Sequence, residues 1–140
     1  MLVITQQGYD QIQAHTLKAL PQECCGLIIG RIDENECYLV HSLMPSKNVA
    51  DGDKTTRFEI DPKVRFDLLR KERQGELGEN KVIGFYHSHP FGAAWPSQTD
   101  RSMVYEPELL WVIATQDEIK AFSYEESKQD FFEVCIQLKQ

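Results

Sequence analysis

His87-Ser88-His89 closes the apolar run Gly84-Phe85-Tyr86, and a carboxylate, Asp100, follows a short loop later in Pro96-Ser97-Gln98-Thr99-Asp100. Side chains on a strand alternate faces, so two histidines at a strand tip separated by one residue point the same way. Imidazole is the commonest protein ligand for zinc, and Asp100 offers a third donor. Two histidines and one carboxylate leave a fourth zinc position open to water, the ligand count of a catalytic rather than a structural site. Each piece also has a plainer explanation. The histidine pair alone could be two satisfied residues at a strand end. Ser97-Gln98-Thr99-Asp100 matches Ser-x-x-Asp/Glu, a helix capping box that needs no metal. The readings are compatible, because residues three apart on a helix share a face and one helix start can aim Ser97 and Asp100 at the histidines.

The elements that must hold these residues can be read along the chain. Residues 2–5 suit a short strand, and Thr5 can cap a helix over 6–19 with Tyr9, Ile12, Leu17 and Leu20 inward and Pro21 at its close. Cys24 to Ile32 reads as a buried strand, Asp33 to Glu36 as a turn, and Cys37 to Leu43 as its partner. Pro45 to Thr56 reads as loop and Phe58 to Ile60 as a brief strand. Asp61 caps a helix that Pro62 opens and that runs to about Gln74. Lys81 to His87 is strand, stopped by Pro90, and Ser97 starts a short helix. Leu109 to Thr115, Ile119 to Tyr124 and Phe131 to Leu138 supply three further strands. This order predicts an α/β or α+β sandwich with a mixed sheet and flanking helices.

With 140 residues, the chain has the length of one domain, 1–140, able to bury a core without disulfide staples. An apolar content of 41% fits a folded globular chain. No run approaches the ~18 apolar residues of a membrane span, and Met1 to Thr5 lacks the basic flank and length of a signal peptide. The expected location is the cytoplasm, with no membrane partner. A net charge of −7 disfavours nucleic acid. Lys63, Arg65, Arg70, Lys71 and Arg73 crowd one helix, either as a solvated face interleaved with Asp67 and Glu72 or as a dock for an acidic partner. The cysteines Cys24, Cys25, Cys37 and Cys135 form no Cys-x-x-Cys pair, so thiols are expected. Cys24 and Cys25 should face opposite sides of their strand; a redox role beside the site is the less favoured reading. Trp95 either lines a groove or plugs the local core. No motif sets an oligomeric state.

Pro21-Gln22-Glu23-Cys24-Cys25-Gly26 before an apolar strand, then Gly84-Phe85-Tyr86-His87-Ser88-His89-Pro90, then Pro96-Ser97-Gln98-Thr99-Asp100, resembles the JAMM (MPN+ or JAB) metallopeptidase family. Phe58-Glu59-Ile60-Asp61-Pro62 resembles the segment leading into that family's second helix. The resemblance spans essentially the whole chain. It implies a cytidine-deaminase-like α/β sandwich with one Zn2+, with His87, His89 and Asp100 as ligands, Glu23 as general acid/base and Ser97 supporting the oxyanion. Such a site generates hydroxide near neutral pH, and a carboxylate outside the metal's shell can carry the proton to a leaving amine. The family cuts peptide or isopeptide bonds after flexible C-terminal tails, commonly Gly-Gly, of ubiquitin-like proteins. The chain is too short for the insertions of deubiquitinating members and most resembles compact prokaryotic members that act on sulfur-carrier proteins. Two other readings remain. Zinc deaminases share the implied fold but carry His-x-Glu with a later Pro-Cys-x-x-Cys. An intact domain could also bind zinc or a ubiquitin-like protein without turnover.

Overall fold

Thr5 ends the first strand, β1 (Leu2–Thr5), and caps α1 (Gln6–Ala19), its hydroxyl accepting the Gly8 N–H at 3.0 Å. The computed structural model describes residues 1–140. The inward stripe of α1 is Tyr9, Ile12 and Thr16, not Leu17, which is 54% exposed. A 3.6-residue period runs through 9, 12 and 16 and carries Leu17 past the buried face. Thr16 tolerates burial because its hydroxyl bonds the Ile12 carbonyl at 2.9 Å.

The remaining elements are β2 (Cys25–Ile32), β3 (Tyr38–Ser46), α2 (Pro62–Arg73), β4 (Lys81–Ser88), α3 (Gln98–Arg101), β5 (Leu110–Ala114), β6 (Ile119–Glu125), β7 (Asp130–Val134) and β8 (Ile136–Lys139). The strands form one mixed sheet in the order β7-β6-β5-β4-β2-β3-β1-β8. The fold is the expected α/β class with helices against a mixed sheet. α1 covers one face over Leu2, Ile4, Ile28, Ile83, Tyr86, Leu110 and Val112, and a second cluster on Leu27, Val82 and Leu68 lies under α2.

Three further expectations change. β3 runs through Pro45 and Ser46, where loop was expected; Pro45 is tolerated because β1 pairs with β3 only at Tyr38 and Leu39, leaving the proline on an unpaired edge. The strand expected at Phe58 to Ile60 is a single bridge, Asn48 to Ile60. The strand expected from Phe131 to Leu138 breaks at Cys135 into β7 and β8, which occupy opposite edges of the sheet. Seven strand-to-strand steps of ~4.8 Å would part those edges by about 34 Å if the sheet were flat. Yet Val134 and Ile136 are separated by one residue, a reach of about 7 Å. The sheet is therefore curled until its edges meet, and the Leu2 N–H bonds the Cys135 carbonyl at 2.8 Å across the joint.

Candidate metal centre and its cleft

The register of two neighbouring strands builds the site. β2 and β4 are antiparallel, with Cys25 opposite His87 and Leu27 opposite Phe85. Continued two residues beyond the ladder, the same register sets Glu23 opposite His89. The bonds Ser88 N–H to the Cys24 carbonyl (3.1 Å) and Cys24 N–H to Ser88 Oγ (2.8 Å) hold that extension. Alternation then puts Glu23, His87 and His89 on one face. Cys24 goes to the other, its sulfur 3.8 Å from Thr16 Oγ1. Gly26 is required here because a Cβ would lie 2.5 Å from the ring of Tyr86, which is buried and bonded through its hydroxyl to His15.

α3 brings in the third donor. Ser97 Oγ accepts the Asp100 N–H at 3.0 Å, and Asp100 Oδ2 accepts the Ser97 N–H at 2.9 Å, so the capping box is formed. The same carboxylate reaches His89 Nε2 at 3.0 Å and His87 Nε2 at 3.2 Å, and the two Nε2 atoms are 3.2 Å apart. Cap and cluster thus coexist. His87, His89 and Asp100 are all buried, with one ligand atom from each within 4.8 Å of the others.

The donor set fits a cation. His89 Nδ1 lies 2.8 Å from the Ala93 carbonyl, which can only accept, so the ring hydrogen is on Nδ1. In the neutral ring Nε2 then presents a lone pair to a carboxylate oxygen 3.0 Å away. Two acceptors facing each other in a buried site repel unless a proton or a metal ion stands between them. Burial holds the His87 imidazole below its usual range, against the pull of Asp100. His89 is also pushed down by burial, but its bonds to Asp100 and Ala93 and the Asp100 and Glu23 charges outweigh that and raise it. Burial would lift Asp100, but both histidines and the Ser97 N–H hold its carboxyl well below the ordinary carboxylate range.

Glu23 is 5% exposed, and its Oε1 has no hydrogen-bond partner. Burial, eased by His89 and reinforced by the Asp100 charge, pushes its carboxyl up to about 8 from 4.5. Between those values the native, metal-free protein retains a proton on Glu23 that the unfolded chain has released, so this carboxyl's contribution to stability falls as pH rises from about 5 to 8. Glu23→Gln removes this term. In chelator-treated protein the variant should match wild type near pH 4 and exceed it by roughly 2–4 kcal/mol at pH 8. Urea unfolding across that range checks it, and a wild type that gains stability relative to the variant on raising pH contradicts it.

The loop after β3 walls the approach. A cleft of about 210 Å³ beside Asp100 is lined by Ala50, Arg57, Phe58, Glu59, Thr99 and Met103 among others. Phe58, Glu59 and Met103 also border a larger, mainly apolar cleft of about 330 Å³ reaching Leu27, Phe85 and Trp111. Phe58 stacks on the His87 ring, with centroids 4.2 Å apart and planes at 15°. The sequence reading missed Phe58 as part of the site; the Phe58 to Pro62 block was its only signal. Trp95 lines neither cleft. Its half-exposed ring packs 5.2 Å from Phe122 with the Lys120 ammonium over it, covering the local core from the surface rather than plugging it.

Cys25 is fully buried, its sulfur 3.6 Å from the Lys47 carbonyl, and burial pushes its thiol up to about 12. Burial likewise raises the Cys24 thiol, and thiols this hard to ionise are poor nucleophiles, which weighs against the redox reading. No cysteine joins the histidine cluster, so a deaminase-type ligand set is absent. On α2, Lys63 and Arg70 pair with Asp67 as on a solvated helix face, whereas Arg65 borders the larger cleft and pairs with Glu106. No helix is long and apolar enough to cross a membrane.

Comparison with known proteins agrees with this geometry. A family model described as prokaryotic homologues of the JAB domain matches residues 5–127. Desampylase of Haloferax volcanii is 29% identical over 120 residues, covering 83% of this chain and 81% of that protein. A probable TtuB-protein conjugate cleaving protease of Thermus thermophilus is 30% identical over 134 residues, covering 92% of this chain and 80% of the other. A solution structure of a Desulfitobacterium hafniense protein matches with a TM-score of 0.84 at 28% identity, covering 100% of this chain and 94% of that one. Sheet, cleft, buried triad and family match converge, and the chain belongs to the prokaryotic JAB-domain family of JAMM-type metallopeptidases.

Proposed function

We propose that this protein, a single catalytic domain over residues 1–140 working in the cytoplasm, is a zinc peptidase for a ubiquitin-like sulfur carrier. It hydrolyses the amide bond that follows the carrier's flexible Gly-Gly tail. The observation that carries the reading is a buried carboxyl with an unpartnered oxygen, Glu23, set opposite His89 beside three converging donors. The relatives named for desampylation and for cleaving TtuB-protein conjugates support the substrate class.

His87, His89 and Asp100 would hold the metal. Zn2+ there would supply Lewis acidity and lower the pKa of a water from ~15.7 towards ~7. Glu23 takes the proton from the attacking water and delivers it to the departing amine, which leaves poorly unless protonated. Ser97 spends one lone pair on the Asp100 N–H and keeps its own O–H, which donates to the carbonyl oxygen as charge builds. Phe58, Glu59 and Met103 line both the cleft beside Asp100 and the adjoining apolar cleft, and a tail without bulky side chains suits the narrow space beside them.

A ubiquitin-like carrier extended beyond Gly-Gly by an amide-linked fluorophore tests this. With Zn2+ the protein should release the fluorophore and leave the carrier ending in Gly-Gly; a chelator should stop release and added Zn2+ restore it. Zinc uptake without any cleavage would reject the peptidase reading in favour of a binding module.

A further inference from the structure

The amide of Asn48 uses its whole hydrogen-bonding capacity on backbone from three segments. Nδ2 donates to the Glu23 carbonyl at 3.1 Å and to the Arg57 carbonyl at 2.9 Å. Oδ1 accepts the Ala50 N–H and the Glu59 N–H, each at 3.1 Å. Two donors and two acceptor sites are all that an asparagine side chain offers. The same segments are laced by the Glu23 N–H to the Lys54 carbonyl at 2.8 Å and the Val49 N–H to the Glu59 carbonyl at 3.0 Å.

What these segments carry makes the knot informative. Glu23 bears the unpartnered buried carboxyl, and both of its backbone polar groups are held by the 48–54 loop. Arg57 and Glu59 flank Phe58, the residue stacked on His87. His87 Nδ1 has no protein hydrogen-bond partner, and the ring is held by aromatic packing instead: the close Phe58 stack on its face and, farther off, the edge of Trp111 at 5.7 Å. A histidine ligand usually gains its orientation from a hydrogen bond at its second nitrogen. Here an aromatic ring takes that place, and Asn48 holds the peptides on either side of it.

We propose that Asn48 is a positioning residue that couples Glu23 to the His87 ring, setting the acid/base and the cleft wall with one amide. The inference rests on the peptidase reading for its catalytic consequence, but its geometric content does not. Asn48→Asp keeps the two acceptors and loses both donors; Asn48→Ala loses all four bonds.

Three readouts on wild type and both variants test the coupling. Hydrogen exchange of the metal-free proteins should show protection lost over residues 57–60. Co2+ titration, followed by visible absorption, should still reach one ion per chain, with affinity about 10-fold weaker, the scale of losing an outer orienting partner. On the fluorophore-extended carrier, kcat should fall about 10–100-fold with KM changed less than threefold. Wild-type Co2+ affinity or wild-type kcat in a folded variant overturns the proposal, as does an activity loss that only tracks the unfolded fraction. If neither variant folds, Phe58→Leu replaces them: it leaves the Asn48 bonds intact, and unchanged Co2+ affinity there overturns the proposal. A wild type that cleaves nothing defeats the peptidase reading instead, and the Co2+ arm then decides on Asn48.

Discussion

Glutamine in place of Glu23 should cut turnover on an extended ubiquitin-like carrier by about 10²–10⁴, the usual worth of a positioned general acid/base. Zinc content should stay at the wild-type level. The side chain is buried opposite His89 but makes no bond to the three donors, so the amide costs the metal nothing. Shape is nearly conserved, and the backbone bonds to Lys54 and Asn48 do not involve the side chain. Only proton transfer is lost. Metal analysis after gel filtration, with steady-state kinetics on the same samples, checks it. A variant that retains wild-type turnover removes Glu23 from the chemistry, and one that loses zinc moves it into the metal's shell.

Asn in place of Asp100 should weaken zinc binding by more than ~100-fold, beyond the 10–100-fold of an outer-shell loss, and abolish hydrolysis with it. The local fold should survive, since an asparagine oxygen can still accept the Ser97 N–H and the backbone N–H can still reach Ser97 Oγ. The change thus isolates the charge. Asp100 is the one anion in contact with both histidines, and its carboxyl is held well below the ordinary range. Thermal unfolding gives the readout: zinc at about 100 times its Kd stabilises a binding protein by ~2.7 kcal/mol, and that shift should vanish in Asp100→Asn. A full zinc-induced shift in the variant would show that the histidines hold the ion without the carboxylate.

Local signals carry the parts of this structure that are settled within a few residues. Thr5, Asp61 and Ser97 each announce a helix start because capping is chemistry between neighbours. The histidine pair and Asp100 lie within one strand, loop and turn, and they converge as their spacing suggests. Glu23 stands apart: only the antiparallel register of β2 and β4 brings it to His89, and pattern alone would leave it among surface carboxylates. Long-range partners hide the rest. Phe131 to Leu138 alternates like one strand, and nothing within it says that its halves pair with β6 and β1. Asn48 sits in a polar stretch whose sequence reads only as loop, because its four partners lie at 23, 50, 57 and 59.

The meeting of the sheet's edges bears on how the chain is made. β1 pairs with β3 along two residues and with β8 along all four, Leu2 with Ile136 through Thr5 with Lys139. β1 therefore waits for β8, made much later, before its main ladder can close. At ~5–20 residues per second, translation leaves that edge open for several seconds or more. Through this interval the Leu2 and Ile4 side chains, buried in the finished core, have α1 as their nearest shelter. Contacts of such long sequence separation also slow folding, since the chain must be looped before it is rewarded. The ladder joining residues 2–5 to 136–139 can thus close only once both segments have left the ribosome, and until then the β1 edge stays an unpaired strand edge of the kind that invites aggregation.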